Sequence, residues 1–242
     1  RRTARAARQV HALRLDLTRR TGRPTVLVDD AVRPVPLSYE WAMTSIHDTI
    51  AEIVAERRAP VYVVHTTQKD ALERAQALLS VDLANRSQRD EIAEVVAKFR
   101  FSAGFGRTLS KLVRRGIGVH HAGMLPRYRR LVERLAQAGL LSVVCGTDTL
   151  GVGINVPIRT VLFTTLSKYD GRKVRILSAR EFHQIGGRAG RAWFDTIGYV
   201  VVQAPEHIII NEKALAKAGD DPKARRKVIR KSPPAGTSSY TR

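Results

Sequence analysis

The 242-residue sequence has a single cysteine, Cys145, few aromatic residues (6%) and no long apolar run. One cysteine excludes an intramolecular disulfide and a zinc site built from four cysteines, and it is compatible with a reducing compartment. The longest apolar runs, such as 199–204, which Gln203 interrupts, fall well short of the roughly 18 residues that a membrane helix needs, and no signal-type stretch follows the N-terminus. These absences predict a soluble, unexported protein without a membrane partner, with the cytoplasm as its default compartment.

Acidic residues are scarce, because 42 Lys and Arg stand against 22 Asp and Glu, and the formal net charge is +20. Such an excess makes a polyanion the first partner to consider. Most of the excess lies at the two ends, with +7 in residues 1–23 and +7 in 213–242, against +6 in 24–212. The ends therefore differ in character from the middle of the chain.

This contrast predicts three regions. Residues 1–24 form a basic N-terminal linker segment, in which Val10, Leu13 and Leu17 suit an amphipathic helix. Residues 25–212 form the folded domain, and 213–242 form a basic, flexible tail rich in turn formers. The sequence reads as part of a longer protein.

Apolar runs typical of buried strands alternate with helical apolar spacing through the folded domain. The pattern predicts strands at 25–28, 61–64, 117–119, 141–145, 160–163 and 198–203, and helices at 44–57, 69–79, 88–99, 108–115, 126–137 and 179–185. Strands separated by helices of this length favour a parallel sheet with helices on both faces. The fold class is therefore α/β, with a doubly wound parallel sheet.

The strongest local motif is QIGGRAGR at 184–191. If the segment continues a helix, Gln184, Arg188 and Arg191 lie on one face, at positions i, i+4 and i+7. Glycines at 186, 187 and 190 would leave that face bare, which suits a multiply charged phosphate. The alternative is a solvated Arg/Gly turn or an RNA-binding patch.

Two further segments combine a buried strand with a polar turn. In VVCGTDTLGVGINVP (143–157) the turn offers backbone N–H groups and hydroxyls to an anion, with Thr147 the first candidate, although an ordinary helix-capping loop fits equally. In IGVHHAGMLP (117–126) adjacent histidines on an extended segment point apart, and no carboxylate or cysteine lies nearby in sequence, so we expect no metal site. The pattern favours contact of these histidine and glycine residues with a backbone phosphate or with an interdomain partner over metal binding. Cys145 is expected in the core.

Several catalytic signatures are missing from these 242 residues. There is no GxxxxGK[ST] segment to cradle phosphates and no acidic box after a strand to hold magnesium. The arginines of QIGGRAGR could therefore contact a phosphate, but these residues contain no nucleotide pocket to hold it.

Together, in this order, these segments resemble the motifs of the second RecA-like lobe of superfamily-two helicases, of the DExH RNA helicase type associated with superkiller complexes and the exosome. The resemblance covers about 25–212 and rests on VYVVHTTQKD (61–70), GIGVHHAGMLPRYRRLVERL (116–135), VVCGTDTLGVGINVPIRTVLF (143–163), YDG (169–171) and EFHQIGGRAGRAWFDTIGYVVV (181–202). One departure is Ala192-Trp193-Phe194-Asp195, where relatives usually carry Arg-Gly and an acidic residue.

The resemblance implies an ATP site between two RecA-like lobes, with Mg²⁺ held by a first lobe that these residues do not include. Arg191 would be the arginine finger and Arg188 a second γ-phosphate contact, with Gln184 beside them as the third catalytic residue. The ATP-binding set would be Gly153, Asn155, Gly187, Arg188 and Arg191. The nucleic-acid set, facing single-stranded RNA or DNA, would be Thr66, Thr67, His121, Gly123 and Thr147.

The chain is thus expected to be the second lobe of an ATP-dependent, RNA-type helicase that is inactive alone. Two alternatives remain open at this point. One is a non-catalytic basic module that binds nucleic acid through its ends, and the other is an interaction domain that uses an orphaned RecA-like surface.

Overall fold

The computed structural model describes residues 2–28, 33–147, 156–169, 172–219 and 221–233, and the chain divides into two units, 1–34 and 35–242. The first unit contains helix α1 (Arg2–Thr21), which confirms the helix expected at the N-terminus. Gly22 ends this helix with a φ of 65°, and its N–H donates to the Thr18 carbonyl at 3.0 Å. None of the described helices is long and apolar enough to span a bilayer.

The second unit contains the remaining helices and strands. In chain order these are β1 (Leu37–Ala42), α2 (Ile46–Ala55), β2 (Val61–His65), α3 (Gln68–Ala77), a 3₁₀ turn (Leu78–Ser80), α4 (Arg86–Ala97), α5 (Phe105–Val113), β3 (Ile117–His120), α6 (Pro126–Gln137), β4 (Val143–Thr147), β5 (Thr160–Phe163), β6 (Ser167–Tyr169), β7 (Val174–Ile176), α7 (Ala179–Gly186), β8 (Gly198–Gln203), α8 (Glu206–Ala218) and α9 (Pro222–Arg226).

Six of the strands form one parallel sheet in the order β1-β8-β5-β2-β4-β3. Every residue of β2, β4 and β5 is buried, so both faces of the sheet are covered. This confirms the α/β class and the RecA-like doubly wound sheet. A separate antiparallel hairpin, β6–β7, was not predicted from the sequence.

Local signals place several helix starts. Asn85 and Gln88 form a capping box at α4, Ser178 and Glu181 form another at α7, and Pro126 occupies the first turn of α6. These signals explain why the predicted helices lie within a few residues of the observed ones.

The strand predicted at 25–28 is wrong. These residues form no strand, and Val26 and Val28 are exposed. The first strand of the sheet is β1, which pairs in parallel with β8. A short β-rich run becomes a strand only when a neighbouring strand accepts its hydrogen bonds, and sequence periodicity does not report that partner. Helix α8 was also not predicted, and it crosses residue 212, beyond which the sequence pattern predicts a flexible tail.

A close backbone approach joins the start of β8 to the turn after α7. A Cβ atom at Gly198 would lie 2.6 Å from the Ala189 carbonyl carbon and 2.6 Å from the Gly190 nitrogen. Because both neighbours are backbone atoms, neither can move aside without shifting the turn.

We expect Gly198→Ala to lower the free energy of unfolding by about 3 kcal/mol, at the upper end of overpacking costs. Gly139→Ala is the control, because Gly139 has a φ of 72° and a Cβ atom added there would meet no atom within 4 Å, which limits the cost to backbone strain of about 1–2 kcal/mol. Urea unfolding of both variants measures the difference. Equal losses would contradict the packing argument.

Candidate functional site

The QIGGRAGR segment is a helix end followed by a turn, so the single helical face predicted for Gln184, Arg188 and Arg191 is wrong. Helix α7 stops at Gly186, and Gly187 caps it by donating to the His183 and Ile185 carbonyls. Gly190 then adopts a φ of 81°, which no helix permits. Gln184 is exposed on α7, and the two arginines lie in the turn beyond it.

This turn lies at the amino-terminal edge of the sheet. The Gly190 N–H donates to the Ile158 carbonyl at 3.0 Å, just before β5 begins, and the Ala189–Gly190 backbone contacts Gly198, the first residue of β8. Arg188 and Arg191 line a cavity of about 580 Å³ there, whose walls also include Val156 and Pro157. The cavity therefore combines two cationic side chains with an apolar floor.

Arg191 is held by Asp195, a residue to which no sequence motif assigned a role. The Nε and Nη2 atoms of Arg191 donate to the two carboxylate oxygens at 2.7 and 2.8 Å, and its backbone N–H donates to Oδ2 at 2.8 Å. Burial of Asp195 opposes its ionisation, but these bonds outweigh burial and lower the pKa of the carboxyl. Hydrogen bonding to Asp195 likewise raises the pKa of Arg191. Both groups are therefore charged at neutral pH.

The turn exposes two aromatic rings to solvent. Trp193 is 99% exposed and has a φ of 72°, in the left-handed region that disfavours residues other than glycine. Phe194 is 80% exposed, and the Arg191 guanidinium lies 5.6 Å from the centre of its ring. A glycine, which the resemblance leads one to expect at position 193, would adopt this left-handed backbone without steric cost.

The five residues predicted to meet nucleic acid lie after or at the ends of neighbouring strands. Thr66 and Thr67 follow β2, His121 and Gly123 follow β3, and Thr147 ends β4. Because β2, β4 and β3 are adjacent and parallel, these five residues share the carboxyl edge of the sheet. In the register, His65 of β2 stands opposite Thr147 of β4.

Local bonds fix the geometry of this edge. The Thr67 hydroxyl caps α3 by accepting from the Asp70 N–H at 3.0 Å, and the Thr66 hydroxyl donates to the Asp70 carboxylate at 3.3 Å. A Cβ atom at Gly123 would meet the Gln68 side chain, so the loop after β3 lies directly on the start of α3. The Thr147 carbonyl accepts from the Tyr62 hydroxyl at 2.5 Å, which ties the end of β4 to β2.

His65 also belongs to this edge, although no sequence pattern singled it out. It ends β2, is buried, and its Nε2 has no hydrogen-bond partner among the described residues. Burial, with a smaller contribution from Arg74, lowers the pKa of His65 to about 4. Burial and then His120 also lower the pKa of His121. Neutral imidazoles therefore line the edge at physiological pH.

Although no carboxylate lies near the histidine pair in sequence, the fold brings one into contact with it. Glu133 of α6 places a carboxylate oxygen 2.9 Å from the Nε2 atom of His120. The two residues are thirteen positions apart, and only the packing of α6 on β3 brings them together. The described residues contain no group of three or more His, Cys, Asp or Glu that could hold a metal ion.

Cys145 is buried within β4, as the sequence predicted, and burial raises the pKa of its thiol to about 12. It therefore stays a neutral thiol, which is a poor nucleophile.

A second cavity lies at the carboxyl edge, with a volume of about 570 Å³. His65, Thr66 and Thr67 form one wall, and Lys168 and Tyr169 of the β6–β7 hairpin contribute to another. Tyr169 is 62% exposed. The hairpin residues gave no periodic signal long enough to be recognised in the sequence.

The two predicted sets therefore occupy opposite edges of one sheet. Arg188 and Arg191 lie at the amino edge, whereas the Thr, His and Gly residues lie at the carboxyl edge. Gly153 and Asn155, predicted to contact nucleotide, lie outside the described residues.

Comparison with known families agrees with this architecture. The family described as helicase conserved C-terminal domain matches residues 73–193, half of the chain. A domain of unknown function (DUF3516) matches residues 204–242.

Three relatives illustrate the similarity. Superkiller complex protein 2 of Mus musculus is 37% identical over 163 residues, covering 63% of this chain and 13% of that protein. The ATP-dependent RNA helicase mtr4 of Schizosaccharomyces pombe is 31% identical over 175 residues, covering 67% of this chain and 15% of the relative. The Exosome RNA helicase MTR4 of Mus musculus is 43% identical over 112 residues, covering 46% and 11%. The chain thus spans a small part of each relative's length.

The six-stranded parallel sheet and the motifs at its edges define a RecA-like helicase lobe. The chain belongs to the helicase conserved C-terminal domain family, within the superfamily-two type represented by the superkiller and exosome helicases.

His65 predicts a measurable pH dependence of stability. The unfolded chain binds a proton at this residue below pH 6.5, whereas the folded chain binds one only below about pH 4. Stability is therefore lost as the pH falls from 6.5 to 4, by about 3 kcal/mol for a shift of this size. We expect His65→Phe to lose less stability than the unmodified chain over this interval, measured by urea unfolding at several pH values. Parallel losses in the two proteins would exclude His65 as the cause.

Proposed function

We propose that this lobe is the second RecA-like domain of an ATP-dependent RNA helicase, supplying arginine fingers to an interlobe ATP site and half of the nucleic-acid groove. The observation that carries the proposal is the separation of an arginine-lined cavity at the amino edge from a strand-end surface at the carboxyl edge. Nucleotide and nucleic acid can then engage one rigid sheet at the same time. The relatives named as RNA helicases supply the substrate class.

The amino-edge cavity fits the phosphate end of ATP. Arg188 and Arg191 line it, and the bare backbone of Gly190 lets an anion approach closely. Arginine suits this task because its planar, permanently charged guanidinium can spread the charge that develops on a transferring phosphoryl group. Gln184 is exposed one helical turn before the arginines, and Gly187 caps the helix between them.

The cavity does not fit Mg²⁺ equally well. Among the described residues no acidic side chain is part of its walls, and the nearby Asp195 carboxylate is already bonded to Arg191. We therefore assign the metal and the phosphate cradle to a first RecA-like lobe that these residues do not contain. Gly153 and Asn155 remain predicted nucleotide contacts in this scheme.

At the carboxyl edge, Thr66, Thr67, His121, Gly123 and Thr147 would contact the phosphates of a single strand. Hydroxyls, backbone N–H groups and neutral imidazoles bind phosphate or sugar without distinguishing the bases. Little sequence preference follows, and a DNA strand offers the same phosphates.

The arginine finger is tested by Arg191→Ala in the chain joined to a first lobe that carries GxxxxGK[ST] and a DExH box. We expect RNA-stimulated ATP hydrolysis to fall by ~10³ or more, the magnitude associated with such arginines. Arg100→Ala is the control, because Arg100 is an exposed arginine outside the cavity. The chain without the first lobe should not hydrolyse ATP, and an unchanged rate in Arg191→Ala would remove its proposed role.

The rival function, a basic module that binds through its ends, is tested by charge neutralisation. Lys and Arg are replaced by Gln in 1–23 and 219–242, which leaves α8 intact, and RNA affinity is measured against salt. We expect weaker binding with a shallower slope, about 0.7 lost per phosphate contact removed, and a residual affinity that His121→Ala lowers further. Loss of essentially all affinity on neutralisation would favour the basic module instead.

A further inference from the structure

Asp195 closes the turn that carries Arg191 by both donating a hydrogen bond to the Arg191 backbone and accepting one from it. The Asp195 N–H donates to the Arg191 carbonyl at 2.9 Å, and the Arg191 N–H donates back to the Asp195 carboxylate at 2.8 Å. The Phe194 N–H donates to the same carbonyl at 3.2 Å. These three bonds hold the backbone of residues 191–195, and the carboxylate also binds the side chain at their start.

The Asp195 carboxylate binds the Arg191 guanidinium along one edge only. It accepts from Nε and Nη2, so the two N–H bonds of Nη1 and the outer one of Nη2 point away from it, by the planar geometry of the group. Arg191 remains part of the wall of the 580 Å³ cavity in this arrangement. This ion pair therefore leaves a second edge of the Arg191 guanidinium whose N–H groups can donate to another acceptor.

The two ends of this ion pair differ in burial. The Asp195 side chain is 1% exposed, whereas that of Arg191 is 30% exposed. The anchoring end of the pair is therefore shielded from water, and the cationic end reaches the surface. A long side chain held in one rotamer before its ligand arrives loses less entropy on binding.

A second arginine offsets the charge of the anchor. The Nε atom of Arg159 lies 3.6 Å from the Asp195 carboxylate, and its Nη1 donates to the Arg57 carbonyl at 2.7 Å. Arg191, Asp195 and Arg159 together carry a net charge of +1. The cluster keeps its attraction for an anion, although Arg191 is already paired.

From this geometry we propose that Asp195 is the positioning residue of the arginine finger, presenting the free edge of the Arg191 guanidinium to the γ-phosphate. The proposal rests on the proposed function of Arg191. Asp195 itself touches no phosphate, because a carboxylate would repel it, and acts only through Arg191.

The first test is a nuclear magnetic resonance measurement on the 242-residue chain, which needs no first lobe. We expect the Nε–H of Arg191 to exchange with water at least tenfold more slowly than that of the exposed Arg100. Asp195→Asn should abolish this protection. Asp82→Asn is the matched control, because it removes the carboxylate of another ion pair, with Arg89, in a more exposed setting. Exchange at Arg191 as fast as at Arg100 in the unmodified chain would overturn the proposal, whatever the variants do.

The second test measures ATP hydrolysis in the chain joined to a first lobe. We expect Asp195→Asn to lower kcat tenfold or more while KM for ATP changes less than threefold, since the lost alignment matters most in the transition state. In an Arg191→Ala background, Asp195→Asn should have no further effect. A merely structural role would lower the rate again in that background.

Two outcomes distinguish a failure of this proposal from a failure of the proposed arginine finger on which it rests. If Arg191→Ala leaves hydrolysis unchanged, the proposed arginine finger fails, while the exchange measurement still reports whether Asp195 holds Arg191. If Arg191→Ala impairs hydrolysis but Asp195→Asn leaves kcat unchanged or raises it, Asp195 does not position the finger. A higher kcat would show that Asp195 restrains Arg191 instead of positioning it for catalysis.

Discussion

Parallel pairing of β2 with β4 and β5 is the constraint on which the other features depend. Each of these strands is buried along its whole length, so helices must cover both faces and the polar ends of the strands emerge only at the two edges. A parallel sheet gathers all of its strand carboxyl ends at one edge. This is why Thr66, His121 and Thr147, far apart in sequence, become neighbours, and why the arginines that precede β8 are placed at the opposite edge.

Close packing at the amino edge of the sheet determines the shape of the turn that carries Arg188 and Arg191. Gly190 and Gly198 allow two backbones to touch, and no side chain larger than hydrogen fits between them. The turn is then closed by Asp195, whose buried carboxylate organises both the backbone and the Arg191 side chain. Trp193 is left in a left-handed conformation with its ring in solvent, and nothing in the described residues stabilises that position.

Much of the fold could be read from the sequence because its signals are local. Capping boxes at Asn85 and Ser178, the first-turn Pro126 and apolar strands such as 160–163 each encode their own element. Three features were not readable in this way. The run at 25–28 has strand composition but pairs with none of the described strands. β1 becomes a strand because β8 pairs with it, and the helical spacing of QIGGRAGR is overridden by the contact of Gly190 with Gly198.

The sequence alone determined the fold class and the absence of a phosphate-binding loop from these residues, because each is a property of composition or of short segments, and the two polar sets are predictions that its resemblance to helicases implies. Only the tertiary structure decided that the two sets lie on opposite edges, that Glu133 faces His120 and that Asp195 holds Arg191. The reason is physical, since distances between side chains on different elements depend on strand order and backbone packing. The lone His65 at the end of a strand acquires its low pKa in the same way, from burial that no local pattern encodes.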